Sequence, residues 1–123
     1  YEEERIDLNE YVTKYPYATF YARVEGDCMT GSGIFPNDLL VVDRSLEITN
    51  GDVVVGVLEG EFILRAYLKV GKEEYLMPDN PNYKPIRRTE TTSFEIWGVV
   101  PHSVLDQRRR RHVRVDRLQQ LLR

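Results

Sequence analysis

In Val24-Glu25-Gly26-Asp27-Cys28-Met29-Thr30-Gly31-Ser32-Gly33-Ile34, a strand breaks into a glycine-rich turn at the chain's only cysteine. The strand is announced just upstream by Phe20-Tyr21-Ala22-Arg23-Val24-Glu25, an aromatic and β-branched run. Three glycines within the eight residues from Gly26 to Gly33 then prevent its continuation. A strand ending in a sharp turn presents one side chain where a substrate can reach it, which is where nucleophiles are placed. A lone cysteine is more often a small buried hydrophobe than a reactive thiol. The residues downstream decide between the two.

Further strands follow at short intervals. Leu39–Asp43 reads as a buried strand after the turn Pro36-Asn37-Asp38, and Thr49-Asn50-Gly51-Asp52 is a second turn signal. Val53–Leu58 is nearly continuous in β-branched residues, the pattern of burial on both faces. Glu59-Gly60 predicts a tight hairpin into Glu61–Val70, and Val70-Gly71-Lys72 turns the chain into Glu73–Met77. The loop Pro78–Pro85 carries three prolines, and Phe94–Val100 is a last strand that Pro101 is expected to end. Ahead of all this, Asp7 can cap a short helix reaching about Lys14, which Tyr15-Pro16 terminates. Residues 1–5 are charged and expected to fray. The aromatics Tyr11, Tyr15, Tyr17, Phe20 and Tyr21 lack the interleaved basic residues of a base-stacking platform, so they read as core and dimer contacts.

Gly26-Asp27-Cys28-Met29, followed by Asn37-Asp38-Leu39-Leu40-Val41-Val42-Asp43, resembles the nucleophile motif of the LexA/UmuD self-cleaving peptidases, which reads Gly-Asp-Ser-Met. Gly51-Asp52-Val53-Val54-Val55 and Gly60-Glu61-Phe62-Ile63-Leu64-Arg65 resemble the segment that carries that family's catalytic lysine. Phe94-Glu95-Ile96-Trp97-Gly98-Val99-Val100 resembles its closing strand, and Glu4–Asn9 with Pro16–Thr19 fits the UmuD branch better than LexA. The resemblance implies a mostly-β chain with the β-clip fold of LexA/UmuD C-terminal domains, small twisted sheets with a short N-terminal helix; it runs out beyond Pro101, and a C-terminal helix is read there from the residues alone. The resemblance divides the chain into a peptidase-fold domain at residues 1–101 and an Arg-rich tail at 102–123. It also implies a homodimer that meets the RecA filament and serves a Y-family-type error-prone DNA polymerase subunit in the SOS response. No cofactor is implied. In the proline-rich loop, the family has an asparagine and a tyrosine or phenylalanine near a bound or swapped peptide.

The departures bear on chemistry. By the resemblance Cys28 holds the nucleophile position and Arg65 the general-base position, with Gly26, Asp27 and Met29 supporting the turn. A buried lysine can become neutral and take a proton from a serine. An arginine stays protonated at any workable pH and cannot. A thiol needs less help than a hydroxyl, and a cation beside it favours the thiolate. A Cys28–Arg65 pair still has no group to protonate a leaving amine. The site is therefore expected to be inactive in peptide hydrolysis, with an active cysteine-type peptidase and the effector domain of a phage-type LexA-like repressor as the competing readings. The 27 residues before Cys28 are too few for a DNA-binding headpiece and carry no Ala-Gly or Cys-Gly cleavage site, as expected of a processed UmuD-type chain.

Composition agrees with one soluble domain: 123 residues, 41% hydrophobic and 30% charged. No apolar run reaches the roughly 20 residues of a membrane span, and the glutamates at the start do not resemble a signal peptide. A single cysteine excludes an internal disulfide framework and suits a reducing cytoplasm. His102 and His112 are too isolated to argue for metal.

The net charge of −3 is unevenly spread. Residues 102–123 carry seven arginines against Asp106 and Asp116, a local net of +5 that leaves −8 on the remainder. Ser103 with Asp106 resembles a helix start, and Val115, Leu118, Leu121 and Leu122 fall at near-helical spacing. Two readings stand side by side. One is a solvated tail. The other is a helix that packs through its leucines onto the domain or its dimer mate and offers Arg108, Arg109, Arg110 and Arg111 to a polyanion such as DNA.

Overall fold

The computed structural model describes residues 4–123, so part of the expected frayed segment, residues 1–3, lies outside the described residues. Hairpins supply the framework. Glu59 and Gly60 both take positive φ, 51° and 79°, the backbone of a two-residue turn whose twist matches the flanking strands. That turn sets β3 (Val53–Leu58) against β4 (Glu61–Val70) with Leu58 opposite Glu61 and Val53 opposite Ala66. The next turn sets β5 (Glu73–Met77) against β4, with Val70 opposite Glu73. With β1 (Thr19–Arg23), β2 (Leu39–Asp43), β6 (Ile86–Arg87) and β7 (Glu95–Val104), the strands form one antiparallel order, β1-β2-β7-β3-β4-β5-β6. The mostly-β architecture with a helix near each end matches the expectation. β6 was not foreseen, because two residues between prolines and threonines leave no periodicity to read.

Val99 and Val100 are neighbours on β7 and both are buried, so they point to opposite faces. Each face has its own core. Val100 joins Val24, Cys28, Met29, Ile34, Leu40 and Val42, while Val99 joins Val54, Leu76 and Phe94. This is why β2 and β3 read as unbroken apolar runs.

Pro101 does not end the last strand, which continues to Val104 and pairs His102, Ser103 and Val104 with Val41, Leu40 and Leu39. The β2–β7 register shifts between Val41 and Asp43, and Pro101 sits at that irregularity, where a missing N–H costs no regular ladder bond. Ser103 is accordingly a strand residue and not a helix cap. Asp106 makes the turn instead, its Oδ1 accepting from the N–H groups of Arg108 (3.0 Å) and Arg109 (3.2 Å). The C-terminal helix α2 begins only at Arg111 and runs to Leu121.

Two expectations of packing within the chain are corrected. The leucines of α2 do not pack on their own domain: the helix buries no residue, and Leu122 is 88% exposed. Its anchor is Arg110, whose guanidinium lies 3.7 Å over the Phe35 ring. Helical spacing also puts Arg114 and Arg117 beside Leu118 and Leu121 and not on the far side from them. Nor do the N-terminal aromatics form core. Tyr11, Tyr17, Phe20 and Tyr21 are exposed and only Tyr15 is half-buried. The helix α1 (Leu8–Val12) is capped by Asp7 as expected and buries no residue either. Asn9 and Thr13 tie it to β1 through the Tyr21 hydroxyl, at 3.1 and 2.5 Å.

Between β4 and β5, Tyr67 donates to Glu74 Oε2 at 2.8 Å, and Arg88 Nε, just past β6, donates to Glu74 Oε1 at 3.1 Å. The tyrosine hydrogen bond, ahead of the Arg88 charge, holds the Glu74 carboxyl below its ordinary range against the opposing effect of burial. A carboxyl depressed in the folded state contributes stability above its unfolded pKa and loses it as pH falls through the folded value. Unfolding midpoints measured from neutral pH downward are therefore expected to fall through the acid range, and less steeply in Glu74→Gln. An identical acid limb in the variant would remove Glu74 from the account.

Candidate active site

The nucleophile turn is built from the core outward. Val24 exchanges hydrogen bonds with the turn Pro36-Asn37-Asp38: its N–H donates to Asp38 O (3.0 Å) and its carbonyl accepts from Asn37 N (2.7 Å). Met29 is 1% exposed and plugs into the core, which fixes the turn from below. Its carbonyl accepts from Ser32 N and Ile34 N, at 3.0 and 3.3 Å, closing the short helical turn Thr30–Ser32. Cys28, one residue earlier, is brought to the wall of a groove of about 820 Å³, lined among others by Val24, Leu40, Phe62, Arg65 and Tyr83. Cys28 is itself 7% exposed, so it is at once a core residue and a groove residue.

Cys28 and Arg65 meet. Arg65 Nη1 donates to Cys28 Sγ at 3.0 Å and to the carbonyl of Leu64 at 2.7 Å, while the thiol donates to the same carbonyl at 3.0 Å. The register places Arg65 opposite Val54 on β3, and the pairing of β4 with β5 begins one residue later, at Ala66 opposite Met77. This contact supplies a cation and a carbonyl acceptor to the sulfur. It supplies no base, since a guanidinium has only donors.

A second layer comes from the proline-rich loop. Asp79 N–H donates to Cys28 O and Asp79 O accepts from Gly31 N, both at 2.8 Å, and Ser32 Oγ donates to Asp79 Oδ2 at 2.6 Å. The approach is so close that a Cβ on Gly31 would stand 2.7 Å from the Asp79 carbonyl oxygen. Asn80 Nδ2 donates to Asp27 O at 2.9 Å, and the Tyr83 hydroxyl donates to Asp27 Oδ1 at 2.5 Å. That hydrogen bond to Asp27, followed by the Asp27 charge, pushes the Tyr83 phenol above its ordinary range, so it is held as a donor. The Arg65 guanidinium lies 5.6 Å over the Tyr83 ring. Gly26, by contrast, has open space where a Cβ would stand.

The sequence pointed to Cys28, Asp27, Met29 and Arg65, and to the loop holding Asn80 and Tyr83. It did not reveal Asp79 or the Leu64 carbonyl. Main-chain acceptors leave no mark on side-chain identity, and the only clue to Asp79 was Gly31, whose requirement is a close approach. Among the described residues no group of three or more His, Cys, Asp or Glu side chains could hold a metal ion.

The chain is similar in sequence to known proteins. MucA of Salmonella typhimurium is 38% identical over 108 residues, spanning 86% of this chain and 73% of the relative. SamA of Salmonella typhimurium is 38% identical over 100 residues, spanning 81% and 69%. LexA repressor 2 of Pseudomonas syringae pv. tomato is 39% identical over 80 residues, spanning 65% of this chain and 40% of that protein. The profile of Peptidase S24-like proteins matches residues 1–101, which hold the groove, its nucleophile turn and the loop that clamps it. By that match the chain belongs to the Peptidase S24-like family.

Proposed function

We propose that this chain is a UmuD-type accessory subunit of an error-prone translesion DNA polymerase in the SOS response, with a peptidase groove that no longer hydrolyses peptides. The observation that carries the reading is Arg65. A permanently protonated guanidinium stands 3.0 Å from the sulfur at the place where the family's chemistry needs a proton acceptor. A protein that keeps the groove but not the base is suited to binding and assembly. The UmuD-like relatives MucA, SamA and ImpA, at 34–38% identity, support the same branch. In this reading the chain works as a homodimer in the cytoplasm, beside the RecA filament and a Y-family-type polymerase subunit. No helix among the described residues is long and apolar enough to cross a membrane.

The LexA match supports a second reading, the effector domain of a repressor, but it spans only 40% of that relative. Primer extension past an abasic site separates the two. A Y-family error-prone polymerase subunit is expected to extend past the lesion with this chain present and to stall without it. Equal extension in both reactions would contradict the accessory role.

A further inference from the structure

We propose that the segment from Arg108 to Arg117 is a contact site for duplex DNA, gripping the phosphate backbone without reading sequence. The segment lies beyond residue 101, where the Peptidase S24-like match ends, so it is an addition to the family's shared fold. Its charge is not neutralised by the acidic body. The ion pairs among the described residues are Arg87–Glu73 and Arg88–Glu74, and neither involves a tail arginine. Asp106 turns its carboxylate to the main-chain N–H groups of Arg108 and Arg109. Arg110 is occupied by the Phe35 ring, which leaves Arg108, Arg109, Arg111, Arg114 and Arg117 exposed. Arg111 and Arg114 hydrogen-bond only to neutral oxygens, Arg108 O at 2.8 Å and Gln107 Oε1.

Geometry and composition select the ligand. The Asp106 turn, the Arg110 stack and α2 hold the arginines in an ordered array, so little ordering is left for binding. Arg111, Arg114 and Arg117 recur every third residue of α2, which spaces them ~4.5 Å apart along the helix axis. One strand of a duplex carries a phosphate per roughly 3.4 Å of its axis, so successive arginines can take separate phosphates. Residues 102–123 hold no Phe, Tyr or Trp, so they offer no platform for the bases of a single strand. Arg111 and Arg114 flank Leu118 on the helix surface. That stripe would draw guanidinium charge with it into a lipid acyl layer or a dry protein groove. On a duplex the same face is usable, with arginines on phosphates and Val115, Leu118 and Leu122 against the sugars between them. At physiological salt charges are screened beyond about 8 Å. The local +5 therefore acts on a ligand although the whole chain carries −3.

The test titrates short fluorescein-labelled DNA with the full chain and reads anisotropy. Affinity for the duplex is expected to fall roughly 100- to 500-fold between about 50 and 200 mM salt, as four or five phosphate contacts release their counterions. Two duplexes of unrelated sequence should bind equally, and each more tightly than its own single strand. Replacing Arg111→Gln, Arg114→Gln and Arg117→Gln together should lower the slope of log affinity against log salt by about 3, one per phosphate contact. These side chains are exposed, so the variant is expected to keep the parent's urea midpoint. Absence of salt-dependent binding by the unaltered chain would overturn the site, and so would an unchanged slope in the folded variant or tighter binding of the single strand. Capture by phosphatidylserine vesicles at concentrations that leave the duplex unbound would also overturn it and assign α2 to a membrane surface. The slope of the unaltered chain decides even if the variant misfolds. The contact needs neither the groove nor a polymerase, so its failure would leave the accessory role standing.

Discussion

Cys28→Ser combined with Arg65→Lys is expected to bring peptide cleavage from undetectable to measurable, a gain on the order of 10²- to 10⁴-fold from general-base catalysis. The substrate is a peptide carrying Ala-Gly, or an N-terminal arm from a full-length relative joined ahead of Tyr1. The turn already brings position 28 and position 65 within 3.0 Å of each other. A lysine there is half-buried opposite Val54 of β3 and beside the Tyr83 ring, surroundings in which an amine can lose its proton. Each single change should do far less. Arg65→Lys alone supplies a base to a thiol, and Cys28→Ser alone leaves a hydroxyl beside a permanent cation. Cleavage by the double variant no faster than by either single one would mean that geometry, and not the missing base, silences the groove.

Met29→Ala is expected to cost about 2–5 kcal/mol, the range for truncating a fully buried large side chain. Met29 is 1% exposed and lies in the same core cluster as Cys28, Ile34 and Leu40. The loss combines apolar burial with a cavity directly under the nucleophile turn. Leu122→Ala, at a residue 88% exposed, should change stability by no more than about 0.5 kcal/mol. Urea titrations with an unchanged slope would give both numbers. A Met29→Ala loss as small as that of Leu122→Ala would show that the turn is held by its clamp loop alone.

The fold was legible wherever periodicity and turn chemistry agreed. Glu59-Gly60 marked a hairpin because few residue pairs accept two positive φ values, and β3 announced two-sided burial by its β-branched run. Reading failed where tertiary context overrides a local rule. Pro101 looked like a strand end because a proline has no N–H to give, but a register shift removes the need for one. Ser103 then looked like a cap only because the strand was taken to be over. The tail's leucines suggested a packed face, yet arginines at the intervening helical positions share that face, so the stripe is not purely apolar. In the site, residue types at motif positions gave Cys28 and Arg65. The Leu64 carbonyl and the Asp79 main chain were invisible for the opposite reason, since any residue carries those groups.

Intact mass after incubation with the activated RecA filament tests the central claim most directly, using this chain as written with a relative's N-terminal arm ahead of Tyr1. The account predicts a single unchanged mass, because Arg65 can hold the Cys28 sulfur but cannot accept its proton or return one to the leaving amine. A shorter species, ending at the arm's cleavage site and absent in Cys28→Ala, would contradict it and make the groove an active cysteine peptidase.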